Sequence, residues 1–527
     1  MRKLTEKYWR LICLVLCICP IMLALYFGFQ KQGYFVDEVW SYGLANSKNY
    51  AHLFMQEGWD ADWIPPSYFE HYIEVEPGEQ FSYGSVFRNQ MEDNHPPFFY
   101  LVLHTVSSFF PGKFSKWFGI APNLFYLLVT NIFLYKILRR LTENKWLAIS
   151  GMLFYALSAG AVSCTIYIRM YMMLTMWMMI LLYIYMKIYE RESIRYIDFL
   201  ICSIVTFAGC MTQYYFYIAV FFSAGTFGLL LLLNKNWKKI IGFIIANLGA
   251  LLLVYISFPI SFTKILGKDN DRGVQAYQSF FDHSYILEKF RTFYQFMNQQ
   301  LYDGMLSVIL FSVVAGCIMI VVYCLIKHKK LELNHEKLFI IVPIVVCIGY
   351  LTIMTLVAPY QSDRYIFIIY PISVVCIIYG INKILDAVHI PERYLISVLV
   401  VVAILFSYSE IKNNQVQYLY LESLHNRELA KEHNEDDCIY VSDQSYLITA
   451  DVPELVKYRR VLKTDYEHLS YVRDWLDLNT KEVIVYFDWV LGVDIAQRGN
   501  EIAQDLQMKQ WEHLYSTDKC CVYRIYN

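Results

Sequence analysis

Four short groups of residues in this chain are of types and spacings that could do chemistry. Asp37 and Glu38 stand side by side in Tyr34-Phe35-Val36-Asp37-Glu38-Val39-Trp40. One such carboxylate can take a proton from a hydroxyl while its neighbour orients it or a nearby helix. Asp93 and His95 open Asp93-Asn94-His95-Pro96-Pro97-Phe98-Phe99-Tyr100. The two prolines forbid helix through Asn94 and His95 and let it start cleanly afterwards, so an acid and an imidazole are offered from rigid extended backbone. Arg169 with Tyr171, and Arg364 with Tyr365, occur in Tyr167-Ile168-Arg169-Met170-Tyr171 and Ser362-Asp363-Arg364-Tyr365. The guanidinium fork matches phosphate oxygens, so two such arginines at one level suit a phosphate. Each group also has a plainer explanation. The carboxylates could be a solvated pair past a helix end, and Asp93 a cap before the Pro-Pro turn. The arginines could snorkel to lipid phosphates, and Asp363 could hold Arg364 in a structural ion pair.

The elements that must position these residues are membrane helices. The 527 residues are 57% hydrophobic and only 17% charged, and apolar runs of spanning length recur along the chain. An integral membrane protein follows. A net charge of −2 gives no reason to expect a nucleic-acid partner. About eleven spans meet the length criterion, the first near 11–29 and the others near 118–137, 146–163, 170–189, 197–212, 215–233, 239–258, 304–326, 337–358, 365–383 and 394–409. Phe98 to Phe110 is too short to span and is expected to lie in the outer interface.

Sidedness comes from the basic residues. Arg2, Lys3, Lys7 and Arg10 precede the first span, and Arg139/Arg140/Lys145, Arg191/Arg195, Lys235/Lys238/Lys239 and Lys327/Lys329/Lys330 fall between later ones. All lie on the cytoplasmic side if the N-terminus does. The acidic, aromatic loop 30–117 is then extracytoplasmic, and so are a second loop at 259–303, with His283, and the tail 410–527. In the tail, short β-like runs at Cys438–Val441, Val483–Phe487 and Cys521–Ile525 alternate with helical patterns near Glu454–Lys463 and Ile495–Gln507. The expected architecture is an all-α polytopic membrane domain over 1–409, including the loop 30–117, followed by a small extracytoplasmic α/β domain over 410–527. Most of the thirteen cysteines lie in apolar runs as small fillers. Spacing does not decide whether Cys438, Cys520 or Cys521 form a disulfide.

Taken together these motifs resemble the polytopic glycosyltransferases of the GT-C fold, in particular the bacterial family related to protein O-mannosyltransferases and the aminoarabinose lipid A transferase, often called family 39. The resemblance covers roughly residues 1 to 410. It implies a plasma-membrane enzyme that takes a sugar from a polyprenyl-phosphate carrier and passes it to a hydroxyl acceptor on the extracytoplasmic face, with inversion. Asp37 would be the general base and Glu38 would orient it or a nearby helix. Arg169 and Arg364, with Tyr171 and Tyr365, would bind the donor phosphate. Asp93 and His95 would bind the sugar, or a divalent cation shared with Asp37; no other cofactor is implied. The chain departs from the family at Gln213, where many relatives carry histidine, and at Asn94, near a glutamate metal ligand of the aminoarabinose transferase. The rival reading is a transporter or lipid flippase, which would place polar residues near the midplanes of spans. Here the charges gather at one face. A receptor or scaffold would leave Asp37 and Arg169 without purpose.

Overall fold

The computed structural model describes every residue except 1–8, 54–61, 266–270, 283, 327–334, 389–391, 445, 478–479, 489–493 and 518. His283, Lys327, Lys329 and Lys330 and the first three N-terminal basic residues lie outside the described residues. The chain forms two compact units. The first is Met1–Gly28, Asn94–Phe99 and Ile120–Gln417; the second is Phe29–Asp93, Tyr100–Gly119 and Tyr418–Asn527. This grouping differs from the expected one, which kept the loop 30–117 with the membrane helices. Packing joins most of that loop to the tail instead.

The first unit is helical. Among the described residues seven helices are long and apolar enough to cross a membrane, and an eighth span is possible if a bent pair is counted as one. Burial sorts them. In the Tyr171–Glu190 helix 78% of the apolar window is buried, against 6% in Leu306–Ile326, which presents Phe311, Met319 and Leu325 outward. An apolar surface of that extent is stable only against lipid. The chain is therefore a multi-pass membrane protein.

Two expected spans differ in form. Residues 197–212 form a 15-residue helix, Tyr196–Cys210. The expected span 146–163 is broken into Lys145–Ala156 and Ala159–Ile166, which meet at 56°. Ser158 caps the second piece through a hydrogen bond from the Ala161 N–H. The fully buried Glu410 accepts the Ala159 N–H at 2.7 Å, and Ser407 donates to the Leu157 carbonyl at 2.7 Å. Backbone groups freed in a membrane interior need such partners.

In the second unit the tail builds a five-stranded sheet in the order β2-β1-β3-β5-β4, with β1 Asp437–Val441, β2 Arg460–Thr464, β3 Glu482–Asp488, β4 Gln510–Ser516 and β5 Cys520–Tyr526. β1 pairs with β2 and β3 in parallel, and β5 pairs with β3 and β4 antiparallel. One face buries Ile439, Val441, Leu462, Val485 and Phe487 under the Ile495–Asp505 helix. The strands β1, β3 and β5 and that helix agree with the sequence reading. The helix expected near Glu454–Lys463 shrinks to Val452–Leu455, followed by a turn over 456–459 and by β2. Tertiary pairing decides this: Asp437, almost wholly buried, binds both Arg459 and Arg460 at 2.8–2.9 Å. The first loop joins the same sheet edge. Ile64 bridges Val461 antiparallel, and the Arg460 guanidinium lies 4.1 Å from the centre of the Trp63 ring. Cys438, Cys520 and Cys521 are buried and free.

Candidate active site

In the second unit, Asp37 and Glu38 occupy the first turn of the Val36–Asn46 helix, and they do different things there. Glu38 folds back to accept the Phe35 N–H at 2.7 Å and holds Lys31 at 3.0 Å, with both side chains fully buried. Lys31 also donates to the Tyr418 carbonyl at 2.6 Å. Burial pushes the Lys31 ammonium down, and Glu38 opposes that shift. Glu38 is thus a capping residue that helps fix the helix start. Asp37, one residue earlier, is half-buried. Asp93 caps the end of the Tyr83–Glu92 helix, whose Asn89 donates to the carbonyls of Leu44 and Ser47 at 3.2 and 3.1 Å.

In the first unit, residues far apart in sequence converge. His95 leaves the chain just before Pro96 and Pro97, and the helix begins at Phe98 as the prolines dictate. The Arg169 Nη2 lies 3.3 Å from the His95 Nε2. Arg169 sits in a non-helical break between Ile166 and Tyr171, and the Asn123 amide donates across it to the Thr165 and Tyr167 carbonyls at 3.0 and 2.9 Å. Arg364 lies in a one-turn 3-10 segment, Asp363–Tyr365. It donates to the Tyr167 hydroxyl at 2.7 Å. The Tyr167 ring stacks on Tyr171, Tyr171 meets Tyr365 edge-on, and Tyr365 also packs against Tyr215. Asp363 accepts from Gln300 at 2.8 Å, and Tyr350 donates to the Tyr365 carbonyl at 3.0 Å. Arg169 and Arg364 are only 3% and 8% exposed, so a charge beside either would meet little competing water.

This arrangement brings together Arg169, Arg364, Tyr171, Tyr365 and His95 of the expected site. Sequence reasoning missed Asn123, Gln300, Tyr167 and Glu410. Asn123 and Gln300 were detectable only as lone amides in apolar or loop sequence, a signal too common to act on. Among the described residues the group of three potential metal ligands is His433, Asp436 and Glu482, within 4.8 Å of one another. It lies in the sheet domain and involves neither Asp93 nor His95. Arg524 also holds Glu482 there, which competes with a cation.

Residues 94–261 match the family described as dolichyl-phosphate-mannose-protein mannosyltransferase. The chain resembles the GT-C membrane glycosyltransferases. The matched stretch starts just after Asp93 and takes in His95, Arg169 and Tyr171, but neither Asp37 nor Arg364. Among solved structures the chain is similar to ArnT from Cupriavidus metallidurans bound to undecaprenyl phosphate, at 11% identity over 93% of this chain and 96% of that one, with a TM-score of 0.49. It is similar also to the oligosaccharyltransferase AglB from Archaeoglobus fulgidus, in complex with an inhibitory peptide and a dolichol-phosphate. There the identity is 11% over 95% of this chain and 71% of that one, with a TM-score of 0.47. No curated protein matches.

Proposed function

We propose that this protein transfers a sugar from a polyprenyl-phosphate carrier to a hydroxyl acceptor at the extracytoplasmic membrane surface. The observation that carries the proposal is the buried cluster of Arg169, Arg364, Tyr167, Tyr171 and Tyr365, with His95 against Arg169. Two fixed guanidiniums in a site of low dielectric suit the negative charge that grows on a departing lipid phosphate. Asp37 takes the acceptor's hydroxyl proton as that oxygen attacks the anomeric carbon. The bond from that carbon to the phosphate oxygen breaks, the carrier phosphate leaves with the electron pair, and the configuration inverts. Glu38 and Lys31 hold the Asp37 helix in place. Asp93 and His95 bind the transferred sugar; the same acid and imidazole are donors of the kind a divalent cation accepts, and no step above depends on one. The N-terminus is cytoplasmic, and the tail is extracytoplasmic.

The test is retention of the carrier. Full-length protein purified with native lipid is analysed by native mass spectrometry for polyprenyl phosphate. The proposal expects it on wild type and a loss of at least about tenfold in Arg169→Ala and Arg364→Ala, in line with removing charged phosphate contacts. Equal retention by all three proteins would refute the phosphate site.

A further inference from the structure

A second polar site lies wholly within the second unit. A cavity of about 130 Å³ is lined by Tyr34, Tyr420, Ser423, Asn426, Asp451 and Glu454, with the Phe35 and Val36 backbone at the start of the Asp37 helix along one wall. That volume equals about four waters, or one small ring. The close approach of its walls depends on Gly33, where a Cβ would lie 2.2 Å from the Ser423 Oγ.

Two lining side chains call for a ligand. Asn426 is 5% exposed and Glu454 6% exposed. Among the described residues neither side chain hydrogen-bonds to another residue. The Glu454 carboxyl meets only its own backbone N–H, and feels Asp451, Arg427 and Lys457 through space. The amide and the carboxyl keep solvent access, and both border space where a ligand could replace water. Asp451, in contrast, already accepts from the Tyr440 hydroxyl at 3.0 Å.

The lining fixes the class of ligand. Glu422 and Asp451 outnumber Lys519, which disfavours an anion. Beside Asp451, burial raises the Glu454 carboxyl to about 8, so at neutral pH it can both donate and accept. The Asn426 amide and the Ser423 hydroxyl add further donors and acceptors, with the rings of Tyr34 and Tyr420 as the apolar part of the wall. Such a lining answers the alternating C–H and O–H surface of a cyclic polyol. The neighbouring cavity differs: Lys31, Lys116 and Arg427 line it, but each already donates to a backbone carbonyl.

We propose that this cavity between Tyr34, Asn426 and Glu454 is a subsite for one neutral sugar ring of the acceptor, held beside the helix that carries Asp37. The word acceptor rests on the glycosyltransferase reading; sugar binding at the cavity does not.

The probes are methyl glucoside, methyl galactoside and methyl mannoside, with glucosamine, calcium chloride and inorganic phosphate as controls. Binding to full-length protein in nanodiscs is read by saturation-transfer NMR and calorimetry. At least one hexoside binds wild type, Asn426→Leu weakens it by about tenfold, the value of one lost hydrogen bond of this kind, and Asp37→Asn leaves it unchanged. If Asn426→Leu does not fold, Asn426→Asp keeps the shape and removes the amide donors, with the same expectation. The inference falls if no hexoside binds, if only calcium or glucosamine does, or if both Asn426 variants bind like wild type. Should hexosides bind as expected while Asp37→Asn retains full transfer, the cavity stands and the assignment of Asp37 as the base falls.

Discussion

The carboxylate and arginine regions of this protein hold their charges by opposite means. Asp37 and Glu38 lie in the first turn of a regular helix, where one carboxylate is used up fixing the helix start through Phe35 and Lys31. Arg169 and Arg364 lie where helix is absent, in a break before Tyr171 and in a single 3-10 turn. A break inside a membrane unit frees backbone carbonyls and N–H groups that lipid cannot satisfy. Asn123 therefore spans the Arg169 break, and Tyr350 and Gln300 support the Arg364 turn. The comparison teaches that a helix end can place a charge with one local partner, whereas a broken span needs polar side chains from other helices. The arginine region should accordingly be sensitive at more positions, and the carboxylate region at fewer but more severely.

The largest effect on stability is expected at Lys31→Met. It leaves Glu38 buried without its cation and should cost about 3–5 kcal/mol, seen as a lower melting temperature, while Lys31→Met combined with Glu38→Leu should regain most of the loss. A single variant that melts like wild type would show that the pair does not hold the helix. Next comes Arg364→Ala, with transfer reduced by about 10²–10³-fold in a membrane assay, comparable to removing one preorganised donor from an anion site. An unchanged rate would leave Arg364 a structural partner of Tyr167. Asn123→Leu touches no substrate in this account. It strips the donors from the Thr165 and Tyr167 carbonyls, with an expected cost of about 1–3 kcal/mol and a loss of transfer as Arg169 shifts. Stability lost without any change in transfer would separate the break from the site.

A further effect concerns pH. The folded state holds the Glu454 proton up to about 8, far above the usual carboxylate value of 4.5, so it binds more protons than the unfolded state between those values. Stability tied to this group is therefore fully present below about 4.5 and lost as pH rises toward 8. Glu454→Gln should melt like wild type at pH 4.5 and increasingly above it at pH 8. Parallel melting curves across that range would show that Glu454 is not held protonated.

The sequence made some of this legible and hid the rest for identifiable reasons. Long apolar runs marked the membrane helices because lipid imposes their length, and Pro96-Pro97 marked the helix start at Phe98 because proline allows little else. Arg169 and Arg364 stood out because the positive-inside bias disfavours arginine at the outer ends of spans, and His95 because it stands directly before Pro96-Pro97. What stayed hidden depended on long-range pairing. Nothing local says that Arg460–Thr464 is a strand; its pairing with Asp437–Val441 and the contact with Trp63 do. Nothing near Glu410 says that it closes a break 251 residues away at Ala159. The mixed role of Asp37-Glu38 was visible as a pair, but which carboxylate faces inward required the backbone of Phe35 and the partner Lys31.

The most direct test of the central claim is to purify wild type and Asp37→Asn with native lipid and weigh the bound glycolipid by mass spectrometry. The account predicts that a polyprenyl-phosphate sugar accumulates on Asp37→Asn, which binds the donor but cannot take the acceptor's proton, and that wild type carries mainly the spent carrier phosphate. Equal amounts of sugar-loaded carrier on both proteins, with transfer intact in the variant, would contradict it.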